Sequence, residues 1–183
     1  MNLQTNSKII YFLAILLGIA TPSWGETLFD STPNPVFDFE KVDQNVAFNA
    51  SFSTPGYPIA LRDISLLWRK GRDENGIILI NLLSDIKASP GIFMEKLGEV
   101  NAGELPMGEQ FITIPIKNKI PLNAKTRYWI QIRVTADSGA LAYARQHQGY
   151  GVVNEYYLNS FGRHRNSETG PYLFKVAGDP LKP

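Results

Sequence analysis

From Glu26 onward the apolar side chains recur at every second position in short segments, and Gly, Pro, Asn and Asp separate one segment from the next. A period of two sends alternate side chains to opposite faces of an extended backbone, whereas a helix needs apolar residues three and four apart. Val46, Phe48, Ala50 and Phe52 form one such face, which ends at the Thr54-Pro55-Gly56 turn. Tyr128, Ile130, Ile132 and Val134 form another, alternating with Trp129, Gln131, Arg133 and Thr135. Between them, Ile59 and Leu61 share one parity while Ile64, Leu66 and Trp68 share the other. That slip predicts a bulge near Arg62 and Asp63.

Residues 77 to 83 are nearly all apolar and predict a central strand buried on both faces. The Glu74-Asn75-Gly76 turn before it and Ser84 and Asp85 after it bound this strand, and Ser89-Pro90-Gly91 marks the following turn. Ile112, Ile114 and Ile116 share a face, and Pro115 on the other face has no N–H to give, which marks an edge or a locally unpaired position. Residues 141 to 145 and 172 to 176 predict further strands, and 152 to 158 is an aromatic stretch of the same kind. Residues 93 to 100 have the best helical spacing, through Phe93, Leu97 and Val100, with Gly91 and Gly98 weighing against it.

Roughly eight to ten short strands without a repeat or a linker predict an all-β fold, an antiparallel β-sandwich of jelly-roll type over residues 26–183. The shared alternation puts Phe48, Phe52, Leu66, Trp68, Leu79, Tyr128, Ile130 and Ile132 in its core.

Residues 1–25 read as a signal peptide. Lys8 supplies the positive end, residues 9 to 20 the apolar stretch, and Ser23 and Gly25 the small residues a signal peptidase inspects. The apolar stretch covers roughly 18 Å as a helix, against about 30 Å of bilayer hydrocarbon, so it is too short to serve as a membrane anchor. The expected mature chain begins at Glu26 and is exported, secreted or periplasmic, with no transmembrane anchor. Lys8 is the only charged side chain ahead of Glu26, so cleavage leaves Lys plus Arg equal to Asp plus Glu at 17 each.

That balance leaves no single-sign field to recruit nucleic acid or hold an anionic membrane from a distance. The sequence has no Cys, which excludes disulfides, thiolate metal sites and cysteine nucleophiles. A domain of this size buries about 70% of the surface of its unfolded chain and holds together without cross-links.

The order of the segments carries a resemblance. Thr27-Leu28-Phe29-Asp30 opens the domain, residues 44 to 52 precede the long strand that ends at Trp68-Arg69, and Leu83-Ser84-Asp85 is followed by Ser89-Pro90-Gly91. Then come residues 122 to 129, Leu-Asn-Ala-Lys-Thr-Arg-Tyr-Trp, and a closing strand over 171 to 176. In this order the chain resembles the choice-of-anchor R domain proteins of bacterial envelopes, over most of residues 27 to 177. The resemblance implies an exported, noncatalytic β-sandwich and transfers no functional residues. Members of that family carry a sorting tail, whereas the last residues here, Asp179-Pro180-Leu181-Lys182-Pro183, hold neither an apolar helix nor a basic cluster; the expectation is release without a C-terminal anchor.

Little in the sequence points to catalysis. His147 and His164 form no metal-binding spacing, and Ser160 lies in no G-x-S-x-G elbow. Glu155 and Asp137 are the conceivable carboxylate pair of a glycosidase or lyase, the alternative function on such a scaffold. Asp30, Asp38 and Glu40 offer oxygen ligands to calcium without a loop spacing that would hold it. The reading therefore assigns no catalytic residue, no metal site and no cofactor. Residues 143 to 172 are the richest in recognition chemistry, with aromatic rings interleaved among amides and arginines. Tyr143, Arg145, His147, Tyr150, Tyr156, Arg163 and Arg165 are the candidate ligand-binding set, because flat rings stack on sugar faces while guanidinium and amide groups bond the hydroxyls. The expected partner is a glycan or another envelope polymer and not nucleic acid. The competing reading makes these tyrosines core and sheet residues and gives the domain a structural role. Oligomeric state is left open.

Overall fold

The structure, a computed structural model, describes residues 25–34, 36–72, 74–143, 154–159, 162–165 and 172–181, the side chains of Tyr143 and Asn159 excepted. Thirteen strands follow one another: β1 Glu26–Asp30, β2 Asp38–Val42, β3 Phe48–Ser53, β4 Ile59–Lys70, β5 Ile77–Asp85, β6 Pro90–Asn101, β7 Gly108–Pro115, β8 Pro121–Leu122, β9 Arg127–Val134, β10 Gly139–Tyr143, β11 Tyr156–Asn159, β12 Gly162–Arg165 and β13 Phe174–Pro180. A single 3-10 turn, Ala102–Glu104, is the only helical element among the described residues. No helix among them is long and apolar enough to cross a membrane.

All the strand pairs are antiparallel and they build two sheets. The long β4 is the spine of the first. One of its edges pairs β13 and then β10, which carry β1 and β2 outward, and its other edge pairs β8 and β7. The second sheet runs β12-β11-β3-β9-β5-β6. The sheets pack face to face over one apolar core, to which the second contributes Phe48, Phe52, Ile78, Ile80, Leu82, Tyr128, Ile130 and Ile132. The first sheet answers with Ile59, Ile64, Leu66, Trp68, Leu141, Phe174 and Val176. The expected all-β sandwich forms because the inward parity of the core strands, such as β3, β4 and β9, is apolar while their outward parity is mainly polar.

The bulge on β4 falls where the parity slips: Ala177 of β13 lies opposite Asp63 and Gly178 opposite Leu61, leaving Arg62 as the extra residue. β7, which ends at Pro115, pairs only with β4. Gly139 has φ +127°, and a Cβ there would lie 2.5 Å from both the Arg69 carbonyl and Trp68 Nε1. Only glycine lets β10 come this close to β4, where the Trp68 indole donates to the Ser138 carbonyl at 3.0 Å. Ser31, fully buried, fastens β1 to β13 by donating to the Tyr172 carbonyl at 2.5 Å and accepting from the Phe174 N–H at 3.0 Å.

Three local expectations are corrected. β5 is buried along one face and, on the other, only at Leu83, opposite Trp129. Ile78, Ile80 and Leu82 point into the core, while Leu79, expected there, is half-buried on the outer face between Glu99 and Arg133. Residues 93 to 100 are not helical but belong to β6, an edge strand so exposed that its apolar residues show no period of two. The turn before β6 is also not at Ser89-Pro90-Gly91: it is the two-residue hairpin turn at 86–89, closed by Ile86 N–H to Ser89 O at 2.9 Å and the reverse bond at 3.1 Å.

Candidate functional site

On the outer face of the second sheet, strand pairing aligns Ser51 of β3 with Trp129 of β9, and Trp129 with Leu83 of β5. One rung further lie Ser53, Arg127 and, at the end of β5, Asp85. At the outer edge, Tyr156 of β11 faces Arg165 of β12, and Leu158 faces Arg163. The pairing thus puts Tyr156, Arg163 and Arg165 on one face, beside residues that arrive from three distant parts of the chain.

Arg127 organises this surface. Its guanidinium lies 5.0 Å from the centre of the Tyr156 ring, and its Nη2 donates to the Asn154 carbonyl at 2.5 Å. Nη1 lies 3.9 Å from Asp85 Oδ1, and Nε lies 3.5 Å from Glu155 Oε2 without hydrogen-bond geometry. Asp85 Oδ1 also accepts the Trp129 indole N–H at 2.8 Å, and Oδ2 accepts the Ala88 N–H at 3.2 Å. Glu155 is only 4% exposed; it accepts a hydrogen bond from Ser51 Oγ, which in turn accepts the Tyr156 N–H at 2.8 Å. Burial pushes the Glu155 carboxyl above its ordinary value, against the opposing pull of hydrogen bonds from Ser51 and Ser53 and the charge of Arg127.

The hairpin turn at 86–89 is tied to this surface. Arg163 Nη1 donates to the carbonyls of Lys87 at 3.1 Å and Ala88 at 3.0 Å, and to Ser89 Oγ at 3.2 Å, and its guanidinium lies 5.7 Å from the Tyr156 ring centre. Trp129 has outward parity and is still fully buried. Beside Arg127 opens a cleft of about 420 Å³, lined by Ser84, Asp85, Met94, Asn123, Lys125, Thr126, Arg127 and Tyr128.

Of the expected ligand-binding residues, Tyr156, Arg163 and Arg165 come together here. Tyr143 ends β10 in the other sheet, opposite Asp38, and its side chain lies outside the described residues. Arg145, His147 and Tyr150 lie outside them altogether, as do Ser160 and residues 1–24. Two tyrosines of residues 143 to 172 are core instead: Tyr157 stacks on His164 at 5.0 Å and meets Tyr172 edge-on at 5.4 Å, and Tyr172 donates to Glu40 Oε2 at 2.5 Å. Glu155 and Asp137 are not a pair. Asp137 binds Lys41 at 2.6 Å beyond the far end of β9, about 23 Å of strand away from Arg127.

Asp30 accepts from Thr32 N–H and Oγ1, Asp38 from the Phe39 N–H, and Glu40 from Tyr172. No three His, Asp or Glu side chains converge as metal ligands among the described residues. The residues missed from sequence are Arg127, Asp85, Trp129 and Ser51. The signal that could have found the first is parity, since Arg127 and Trp129 share the non-core face of the most regular strand.

The architecture thus defined is a two-sheet antiparallel sandwich with an Arg127-centred aromatic and carboxylate cluster on one outer face. No family model matches the chain, and no curated protein matches it.

Proposed function

We propose that the chain is an exported, noncatalytic β-sandwich module, of the choice-of-anchor R kind its segment order resembles. In this reading it binds a glycan or another envelope polymer across the outer face of its second sheet. The observation that carries this is the Tyr156 ring beside two guanidinium groups, at 5.0 and 5.7 Å, next to an open cleft offering Asn123, Lys125 and Thr126. Ring faces stack on sugars, and amide, ammonium and guanidinium donors bond hydroxyls or carboxylates. A polymer running from the cleft along β11 and β12 would meet both chemistries.

The rival is a carbohydrate-active enzyme, a glycoside hydrolase or lyase. It needs two carboxylates facing one substrate bond, about 5 to 10 Å apart. Asp85 and Glu155 are the nearest approach to such a pair, but both turn toward Arg127, and Glu155 does not line the cleft. This favours binding over hydrolysis. A glycan array probed with the mature protein tests the reading: retention of envelope-type glycans without release of reducing ends supports it, and bond cleavage by the same protein replaces it with the enzyme. Mass spectrometry of the protein from its host tests export, with a chain starting at or near Glu26 expected and an intact Met1 contradicting it.

A further inference from the structure

The tip of the β5–β6 hairpin carries the largest apolar exposure of the described chain. Ile92 is 71% exposed, Phe93 57% and Met94 43%, and Ile86 on the other arm is 50% exposed. Phe93 lies opposite Leu83 on the outer face, Ile92 precedes it in the strand and projects to the other side, and Met94 is the extra residue at the register shift between Leu82 and Leu83. A flat partner covering one side would leave the other in water. The occupant that satisfies both sides is one that surrounds the hairpin.

A strand added along the free edge of β6 is disfavoured. The β5–β6 pairing shifts register between Ile80 and Asn81, between Leu82 and Leu83, and between Leu83 and Asp85, and such bulges bend an edge out of the line a continuous ladder requires. The same bulges disfavour a second copy pairing β6 to β6.

The charge around the tip is basic. Lys87 sits in the turn, Arg163 is bound to it, and Lys125 shares a cleft with Met94. None of the three is ion-paired to a carboxylate among the described residues. Of the two acids beside the tip, Asp85 is turned to Trp129, Arg127 and the Ala88 N–H, and Glu95 directly follows Met94 on the exposed strand. Glu95 and the Lys96–Glu99 ion pair end the apolar run.

From this two-sided apolar tip inside a basic collar, we propose that the β5–β6 hairpin inserts into the interfacial layer of an anionic phospholipid bilayer and docks the module on a membrane surface. Insertion stays shallow, because the free edge of β6 keeps backbone groups that need water or headgroups as partners, and Glu95 and Lys96 stop deeper entry. The balanced charge of the whole chain gives no long-range attraction, so the collar acts only at contact. This inference does not rest on glycan binding, although Lys125 and Arg163 serve both surfaces; Ile92 and Phe93 lie outside the cleft lining, so their variants test it separately.

The test is sedimentation with vesicles of phosphatidylcholine containing about one quarter phosphatidylglycerol, using the protein as its host produces it, purified without detergent. The proposal predicts binding, weakened about tenfold or more in Ile92→Ser/Phe93→Ser and several-fold in Lys87→Ala or in pure phosphatidylcholine. Ile92→Ser alone, at the most exposed position, should retain the wild-type melting temperature and still weaken binding. No binding, or binding equal in all variants, overturns the proposal. A dimer that Phe93→Ser dissociates, without vesicle binding, also overturns it and assigns the tip to a second copy.

Discussion

Arg163, near the end of the chain's described edge hairpin, donates to the carbonyl of Ala88 at 3.0 Å and so fastens the β5–β6 turn to the opposite margin of the sheet. Its other two bonds go to Lys87 and Ser89 of the same turn. Arg163→Ala should therefore free the turn rather than unfold the domain. The expected cost is about 1 kcal/mol, because the bonds are charge-assisted but exposed to solvent. Hydrogen exchange should speed up at residues 86–92 and stay slow in β3 and β9. Protection unchanged in the turn would show that Arg163 does not hold it.

The turn itself is built from unfavourable residues. Lys87 and Ala88 have φ of 52° and 57°, a left-handed pair that Asn-Gly ordinarily supplies in a two-residue hairpin. Ala88→Gly removes a Cβ that this conformation disfavours and should stabilise the protein by about 0.5 to 1 kcal/mol in a denaturant melt, net of the greater freedom of unfolded glycine. A loss of stability would mean that the Ala88 methyl packs productively.

Turn chemistry explains one misreading and edge exposure another. Lys87-Ala88 carries no turn residue, so sequence signals put the reversal at Ser89-Pro90-Gly91. β6 has one neighbour and little burial, so nothing imposes a period of two on it, and Phe93, Leu97 and Val100 mimic a helical stripe. β3 and β9, by contrast, were legible because one parity of each is apolar and lies on the core, while the other is mainly polar in sequence (Asn49, Ser51 and Ser53; Arg127, Gln131 and Arg133) even where it is buried. The site was partly legible: composition pointed to Tyr156, Arg163 and Arg165, but Arg127 and Asp85 meet through the pairing of β9 with β5, which no local pattern encodes.

Glu155 makes stability depend on pH. Its folded pKa is raised by burial, so the folded protein holds a proton that the unfolded chain has released at pH values between the ordinary carboxyl value of 4.5 and the raised one. Stability from this group is fully present below the ordinary value and is lost as pH rises through the folded value. Glu155→Gln should abolish that decline, so the difference in unfolding free energy between variant and wild type should move in the variant's favour as pH rises across this window. A constant difference would place the Glu155 carboxyl in a more hydrated setting than its 4% exposure describes.

Binding at the Tyr156 face is the central claim, and the most direct measurement is a titration of the wild-type protein and Tyr156→Phe and Tyr156→Ala variants with the glycan an array selects. The account predicts that Tyr156→Ala weakens binding by about 1 to 3 kcal/mol, on the scale of base stacking on aromatic side chains. Tyr156→Phe should retain most of the affinity, and the melting temperature should change little in either variant. If no glycan binds at millimolar concentration, or if Tyr156→Ala lowers stability while leaving affinity unchanged, then Tyr156, Arg127 and Arg163 serve the fold and the binding claim fails.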